Sequence, residues 1–170
     1  PEMLRDAAFR GAYVKALGPI TSGIRAQLTE ASQQRAESLK SVDTAVGRIV
    51  RALADAGELR NTLIVFTSDN GYLRGEHRIV DGKIVPYEPS TRVPLVIRGP
   101  GFPADVLRRQ LTGHIDLAPT MLRAAQTRAN LRVDGMALQP LAASAAAGKG
   151  RQLLLEAGPQ QVGGPWFYRG

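Results

Sequence analysis

Apolar side chains recur at Leu39, Val42, Val46, Ile49, Val50 and Leu53. Spacings of three and four residues put them on one side of a helix, so residues 31–56 are expected to be helical with a stripe turned to a core. Gly47 alone interrupts the pattern, at a cost of about 1 kcal/mol relative to alanine. Gly57 is a candidate C-cap, and Glu58–Asn61 makes a connection of ordinary length. The pattern then changes. Thr62-Leu63-Ile64-Val65-Phe66 is an unbroken apolar or β-branched run, which predicts a buried strand over Thr62–Thr67. Helix, short loop and buried strand together make half of a βαβ unit.

Further along, Pro94–Arg98 reads as a second buried strand with its proline at the tolerated first position, ended by Gly99-Pro100-Gly101. Arg109–His114 and Gln152–Glu156 are two more strand candidates. Asp116 is placed to cap a helix running from Leu117 to Ala125, with Pro119 in its first turn. Leu138–Leu141 reads as a helical turn, and Ala142–Gly150 as an exposed Ala/Ser/Gly loop. Residues 1–30, broken by Gly11, Gly18, Pro19 and Gly23, suggest short helical pieces and loops. Residues 68–92 have no sustained period and form a long loop of the kind that usually carries function.

Composition narrows the classes. The chain has 170 residues, 44% of them hydrophobic and 22% charged, enough for one domain with a core. It has no cysteine, which excludes a disulfide, a thiol nucleophile and a thiolate metal site. The net charge of +7 is spread along the chain without aromatic interleaving, so nucleic acid is not an expected partner. No apolar run approaches the roughly 18 residues of a membrane span. The opening Pro1-Glu2-Met3-Leu4-Arg5-Asp6 lacks a signal-peptide pattern and suggests a processed product or a fragment. Compartment and oligomeric state are left open.

The polar residues after the first strand carry the candidate chemistry. Asp69 and Asn70 offer a carboxylate and an amide oxygen, the donor types of hard cations such as Ca²⁺ or Mg²⁺. Asp69-Asn70-Gly71 is equally a strand-end turn. His77, in the triplet Glu76-His77-Arg78, is either an acid/base or anion-donor group or a structural histidine. Lys83, after Gly82, either meets an anion as a point charge or is an ordinary surface lysine. His114 either contacts substrate or packs, and Arg92 can pair with Glu88.

Four phrases, in order, carry a family resemblance. They are Ser41-Val42-Asp43-Thr44-Ala45-Val46-Gly47-Arg48-Ile49 with Leu59-Arg60-Asn61-Thr62; Phe66-Thr67-Ser68-Asp69-Asn70-Gly71 with Gly75-Glu76-His77; Gly82-Lys83 with Tyr87-Glu88-Pro89-Ser90-Thr91-Arg92-Val93-Pro94-Leu95 and Arg98-Gly99-Pro100-Gly101; and His114-Ile115-Asp116-Leu117-Ala118-Pro119-Thr120 with Asp134-Gly135 and Leu138. Over roughly residues 35 to 157 the chain resembles the sulfatase family of the alkaline phosphatase superfamily.

That resemblance implies an α/β fold, a partial alkaline-phosphatase-like mostly parallel sheet flanked by helices. It implies a partial catalytic domain over residues 1–157, with residues 158–170 beginning a further C-terminal region. It implies metal-dependent hydrolysis of a small-molecule or saccharide sulfate ester by the full-length parent. Asp69 and Asn70 are then ligands of the divalent ion, calcium or else magnesium. Lys83 contacts the sulfate group, His77 and His114 contact substrate, and Lys83 and His77 are the catalytic side chains of this segment. Tyr87, Glu88 and Arg92 support the lysine loop. The family's nucleophile is a formylglycine made within a Cys/Ser-x-Pro-x-Arg motif, and this chain contains no such motif. The segment alone is therefore expected to be inactive. A phosphonate or phosphate monoester hydrolase of the same superfamily and a non-catalytic sulfatase-like protein are the competing readings.

Overall fold

A computed structural model describes residues 16–83, 85–157 and 168–169. The expected C-terminal region over 158–170 lies almost wholly outside them, as does the first half of the segment 1–30. The chain divides into two compact units. The first holds the described residues up to Gly47, Asn70–Val93 and those from Leu154 onward. The second holds Arg48–Asp69 and Pro94–Leu153.

Helix α1, Ser22–Asp55, begins well before the predicted start and passes from the first unit into the second. Gly23 falls in its first turn, where a glycine interrupts least. Its end is the predicted one. Gly57 takes φ 75°, its N–H reaches Ala54 O at 3.0 Å, and the Glu58 N–H reaches Leu53 O at 2.9 Å. That pair of bonds is a Schellman cap, which a glycine in the left-handed region permits. The stripe does not face a core as expected. No residue of α1 is buried; Leu39 is 59% and Ile49 57% exposed.

In the second unit, strand β1, Ile64–Thr67, pairs with β2, Leu95–Arg98. The pairing is antiparallel, with Ile64 opposite Arg98 and Thr67 opposite Leu95. The expected mostly parallel sheet is therefore wrong. A parallel pair needs a crossover element of about a dozen residues, and among the described residues between these strands the only α-helix is the four-residue α2, Glu88–Thr91. Among the described residues no strand precedes α1 to complete a βαβ unit. Neither strand is buried on both faces, and the cross-strand partners Phe66 and Val96 are both exposed. The pair closes tightly at one end. A Cβ on Gly99 (φ 134°) would lie 2.4 Å from Thr62 O, so glycine is required there.

Arg109–His114 is not a strand; His114–Asp116 is instead a 3-10 turn leading into α3, Leu117–Ala124. Helix α4 covers Gln139–Ala143. The core of this unit is partly polar: Leu138 and Leu141 are buried beside Asp116, Thr120 and Gln139. In the first unit a small core of Leu73, Ile79, Val85 and Tyr87 packs with Leu17. Of the predicted strand Gln152–Glu156 only Glu156 is extended into pairing, as β3 (Glu156–Ala157) against β4 (Tyr168–Arg169), also antiparallel.

Candidate functional site

Gly71 lets the loop after β1 close on itself. The Gly71 N–H donates to Ser90 O at 2.9 Å and the Tyr72 N–H to Pro89 O at 2.7 Å. A Cβ on Gly71 would stand 2.0 Å from Pro89 O, so no side chain fits. A bridge between Leu73 and Gly82 draws the next stretch together, with the Leu73 N–H on Gly82 O at 2.8 Å. These backbone bonds bring Asn70 and Lys83 together. Lys83 Nζ donates to Asn70 Oδ1 at 2.8 Å, while Asn70 Nδ2 donates to Gly71 O at 2.8 Å. The amide is thus oriented by its neighbours, oxygen toward the ammonium. Lys83 itself is exposed.

His77 sits in a strained turn. Its φ is 54° and that of Arg78 is 66°, a region that disfavours side chains other than glycine and is found most at functional positions. The His77 ring stacks on Tyr87, with centroids 3.8 Å apart and planes at 15°. Tyr87 is buried, so a core ring supports an exposed imidazole. Arg92 does pair with Glu88, at 2.7 Å, but both are exposed and the pair adds little stability. The neighbouring Glu76 carboxyl is held below its ordinary range, chiefly by the Arg74 N–H, which donates to Glu76 Oε2 at 2.6 Å.

In the second unit, Asp69 follows Ser68, whose Oγ lies 3.5 Å from Asp69 Oδ1. His114 Nε2 lies 2.7 Å from Ser68 O. A carbonyl only accepts, so Nε2 carries a proton in this contact.

The turn bearing His114 is fixed by contacts that sequence reasoning missed. Asp116 is fully buried. Its carboxylate accepts the Gly113 N–H at 2.9 Å, the Met136 N–H at 2.9 Å and both terminal nitrogens of Arg151, at 2.6 and 2.5 Å. Asp116 therefore closes the His114 turn rather than capping α3 with its side chain. Thr120 Oγ1 donates to Asp116 O at 2.6 Å and accepts the Leu138 N–H at 2.9 Å. Burial opposes ionisation of Asp116, but the Arg151 hydrogen bonds and the two backbone donors outweigh it, and the carboxyl is held below its usual range. A Cβ on Gly135 would stand 1.9 Å from Ile115 O, so that glycine is needed for the same turn. Arg151 follows a low-complexity stretch, and nothing local marks it as the partner of Asp116.

Among the described residues no group of three or more His, Cys, Asp or Glu converges on a metal position. Asp69 and Asn70 have the right donor chemistry for a hard cation, yet Ca²⁺ takes about six to eight oxygens. The residues described here do not make a complete cation site.

The family model for sulfatases matches residues 9–127. The chain is 42% identical over 108 residues to the extracellular sulfatase SULF-1 homolog of Drosophila melanogaster, covering 64% of this chain and 10% of that protein. It is 40% identical over 124 residues to human N-acetylglucosamine-6-sulfatase, covering 72% and 22%. Among solved structures it resembles BT4656, determined in complex with its substrate D-glucosamine-2-N,6-O-disulfate, with TM-score 0.66 and 30% identity over 83% of this chain and 28% of that one. It also resembles the phosphonate monoester hydrolase SpPMH from Silicibacter pomeroyi, with TM-score 0.56 and 36% identity over 62% and 21%. The chain thus spans between about a tenth and just over a quarter of the length of these relatives. Among the described residues no helix is long and apolar enough to cross a membrane. With the matched phrases, the shared fold and the family match over most of its length, the chain belongs to the sulfatase family of the alkaline phosphatase superfamily.

Proposed function

We propose that this segment supplies sulfate-binding and cation-binding groups to an enzyme that hydrolyses sulfate esters of sugars. The observation that carries the reading is the contact of Lys83 Nζ with Asn70 Oδ1. It sets a cationic donor beside a hard oxygen ligand type, on a loop whose backbone leaves no room for a side chain at Gly71. Hydrolysis breaks the sulfur–oxygen ester bond, and negative charge grows on the departing alkoxide oxygen while the sulfuryl oxygens remain anionic. An ammonium held at fixed distance from those oxygens lowers the barrier without reorganising in the reaction. Lys83 is assigned to a sulfate oxygen, and His77 and His114 to substrate contact. His77 is oriented by the Tyr87 ring and His114 by Ser68 O.

Asp69 and Asn70 are assigned to a calcium ion, with magnesium the alternative, and such an ion would need further oxygen donors beside these two. Such an ion supplies positive charge to the sulfate group. A sugar substrate is favoured because BT4656 binds a sulfated glucosamine and human N-acetylglucosamine-6-sulfatase is 40% identical to this chain over 124 residues. The likeness to the phosphonate monoester hydrolase SpPMH, at 36% identity, supports a second reading with a phosphonate monoester in place of the sulfate.

The test is product release by the natural protein that carries this segment, produced together with a formylglycine-generating enzyme. Sulfated N-acetylglucosamine and an aryl phosphonate monoester are supplied in parallel. Faster release of sulfate supports the first reading, faster phosphonate release the second, and release of neither removes both.

A further inference from the structure

The amino-terminal half of α1 carries a polar face that the sulfate contact does not use. Arg25 and Thr29, and Leu28 and Ser32, are four residues apart on α1, and Arg25 and Leu28 three apart, so the four line one side of the helix. That side borders the turn at Arg74 and Gly75, and between them lies an open groove of about 590 Å³. The turn is seated on the helix. A Cβ on Gly75 (φ 108°) would stand 3.0 Å from Leu28 Cδ1, and Arg74 Nη1 lies 3.5 Å from Ser32 Oγ. Deeper along the same helix, the Arg35 guanidinium lies over the Tyr72 ring, 4.6 Å from its centroid. Three loop residues, Tyr72, Arg74 and Gly75, therefore rest on the helix in the unit that also holds Asn70 and Lys83.

The electrostatic balance of the groove is positive. Arg25 and Arg74 both line it. Glu76 stands next to Arg74, and its carboxylate is already engaged by the Arg74 backbone N–H. Glu30, on the same stretch of helix, accepts from Gln34 at 2.8 Å. The side chains of Thr29 and Ser32 donate to the carbonyls of Arg25 and Leu28; the Ser32 oxygen also accepts from Arg74 Nη1, and the Thr29 oxygen can accept from a sugar hydroxyl. A planar guanidinium binds a sulfate or carboxylate through two parallel N–H groups. The Leu28 side chain adds an apolar floor of the kind on which a pyranose face rests.

We infer that this groove is a second anion subsite, which holds a sulfate or carboxylate of a polyanionic saccharide on a ring other than the one losing its sulfate. The inference rests on the sulfated-sugar reading of the Lys83 loop. It makes the segment selective for densely charged chains, since one sulfate meets Lys83 while another meets Arg25 and Arg74.

The experiment is calorimetric titration of the full chain with two glucosamine–uronic acid tetrasaccharides, one carrying a single sulfate and the other four. The expected wild-type result is at least tenfold tighter binding of the tetrasulfated ligand. The double variant Arg25→Gln/Arg74→Gln is expected to bring that ratio close to one, with binding of the monosulfated ligand nearly unchanged. Arg123→Gln, which removes an exposed charge elsewhere, is expected to preserve the ratio, and a collapse there would reduce the effect to general charge and overturn the subsite. A ratio retained in the double variant, or absent in the wild type while the monosulfated ligand still binds through Lys83, overturns the subsite and spares the sulfate reading. A ratio that collapses in the double variant while Lys83→Ala binds the monosulfated ligand normally supports the subsite and removes the role of Lys83. Binding of neither ligand overturns both.

Discussion

The Arg151 guanidinium holds the Asp116 carboxylate through two short hydrogen bonds, across 35 residues of sequence. Asp116 is fully buried and the Arg151 side chain is 13% exposed. Removing one partner of such a pair strands a charge in the interior, which costs about 3–5 kcal/mol. Arg151→Met is expected to lower the unfolding free energy of the full chain by that order in a urea titration. An unchanged midpoint would show that the pair is not what holds the His114 turn.

The same carboxylate gives the fold an acid limit. Its folded pKa is depressed, so its stabilising contribution is complete above the unfolded value of about 3.9. That contribution is lost as pH falls from there through the folded value. Thermal stability is expected to fall below about pH 4, and Asp116→Asn, already destabilised, is expected to show a flatter profile in that window. Equal slopes in both proteins would assign the acid transition to other groups.

Three glycines should rank in a fixed order when changed to alanine. Gly71 and Gly135 leave a Cβ 2.0 and 1.9 Å from a backbone oxygen, and overpacking of this kind costs roughly 1–3 kcal/mol or more. Gly23 lies in the first turn of α1, and a Cβ there meets only Thr21 Oγ1 at 3.9 Å. Alanine at position 23 is expected to stabilise by up to about 1 kcal/mol. Melting temperatures of the three variants check the order, and a neutral Gly135→Ala would contradict the described packing on Ile115.

The sequence was readable where structure is local. Gly57 ends α1 because a left-handed C-cap needs only the residues beside it, and Glu88 finds Arg92 one helical turn away. The extended character of Ile64–Thr67 and Leu95–Arg98 was equally visible. Their direction of pairing was not, since an apolar run is the same read toward a parallel or an antiparallel neighbour. The stripe at Leu39, Val42 and Ile49 predicted a covered face, and these residues are exposed, because periodicity reports that a face is apolar and not what lies against it. In the candidate site, Asp69, Asn70, His77, Lys83 and His114 were named from the phrases that contain them. The link of Asn70 to Lys83 depends on the Leu73–Gly82 bridge, and the hold of Asp116 on Arg151 spans 35 residues. No local pattern encodes either contact.

The central claim is that Lys83 meets the sulfate group being transferred, and the turnover of Lys83→Ala in the natural protein carrying this segment tests it most directly. Loss of a charge-stabilising donor at the reacting group lowers kcat by about 10²–10³-fold, and that fall is the predicted result for sulfate release from a sulfated N-acetylglucosamine. A kcat within twofold of wild type, with the variant folded by circular dichroism, would contradict it.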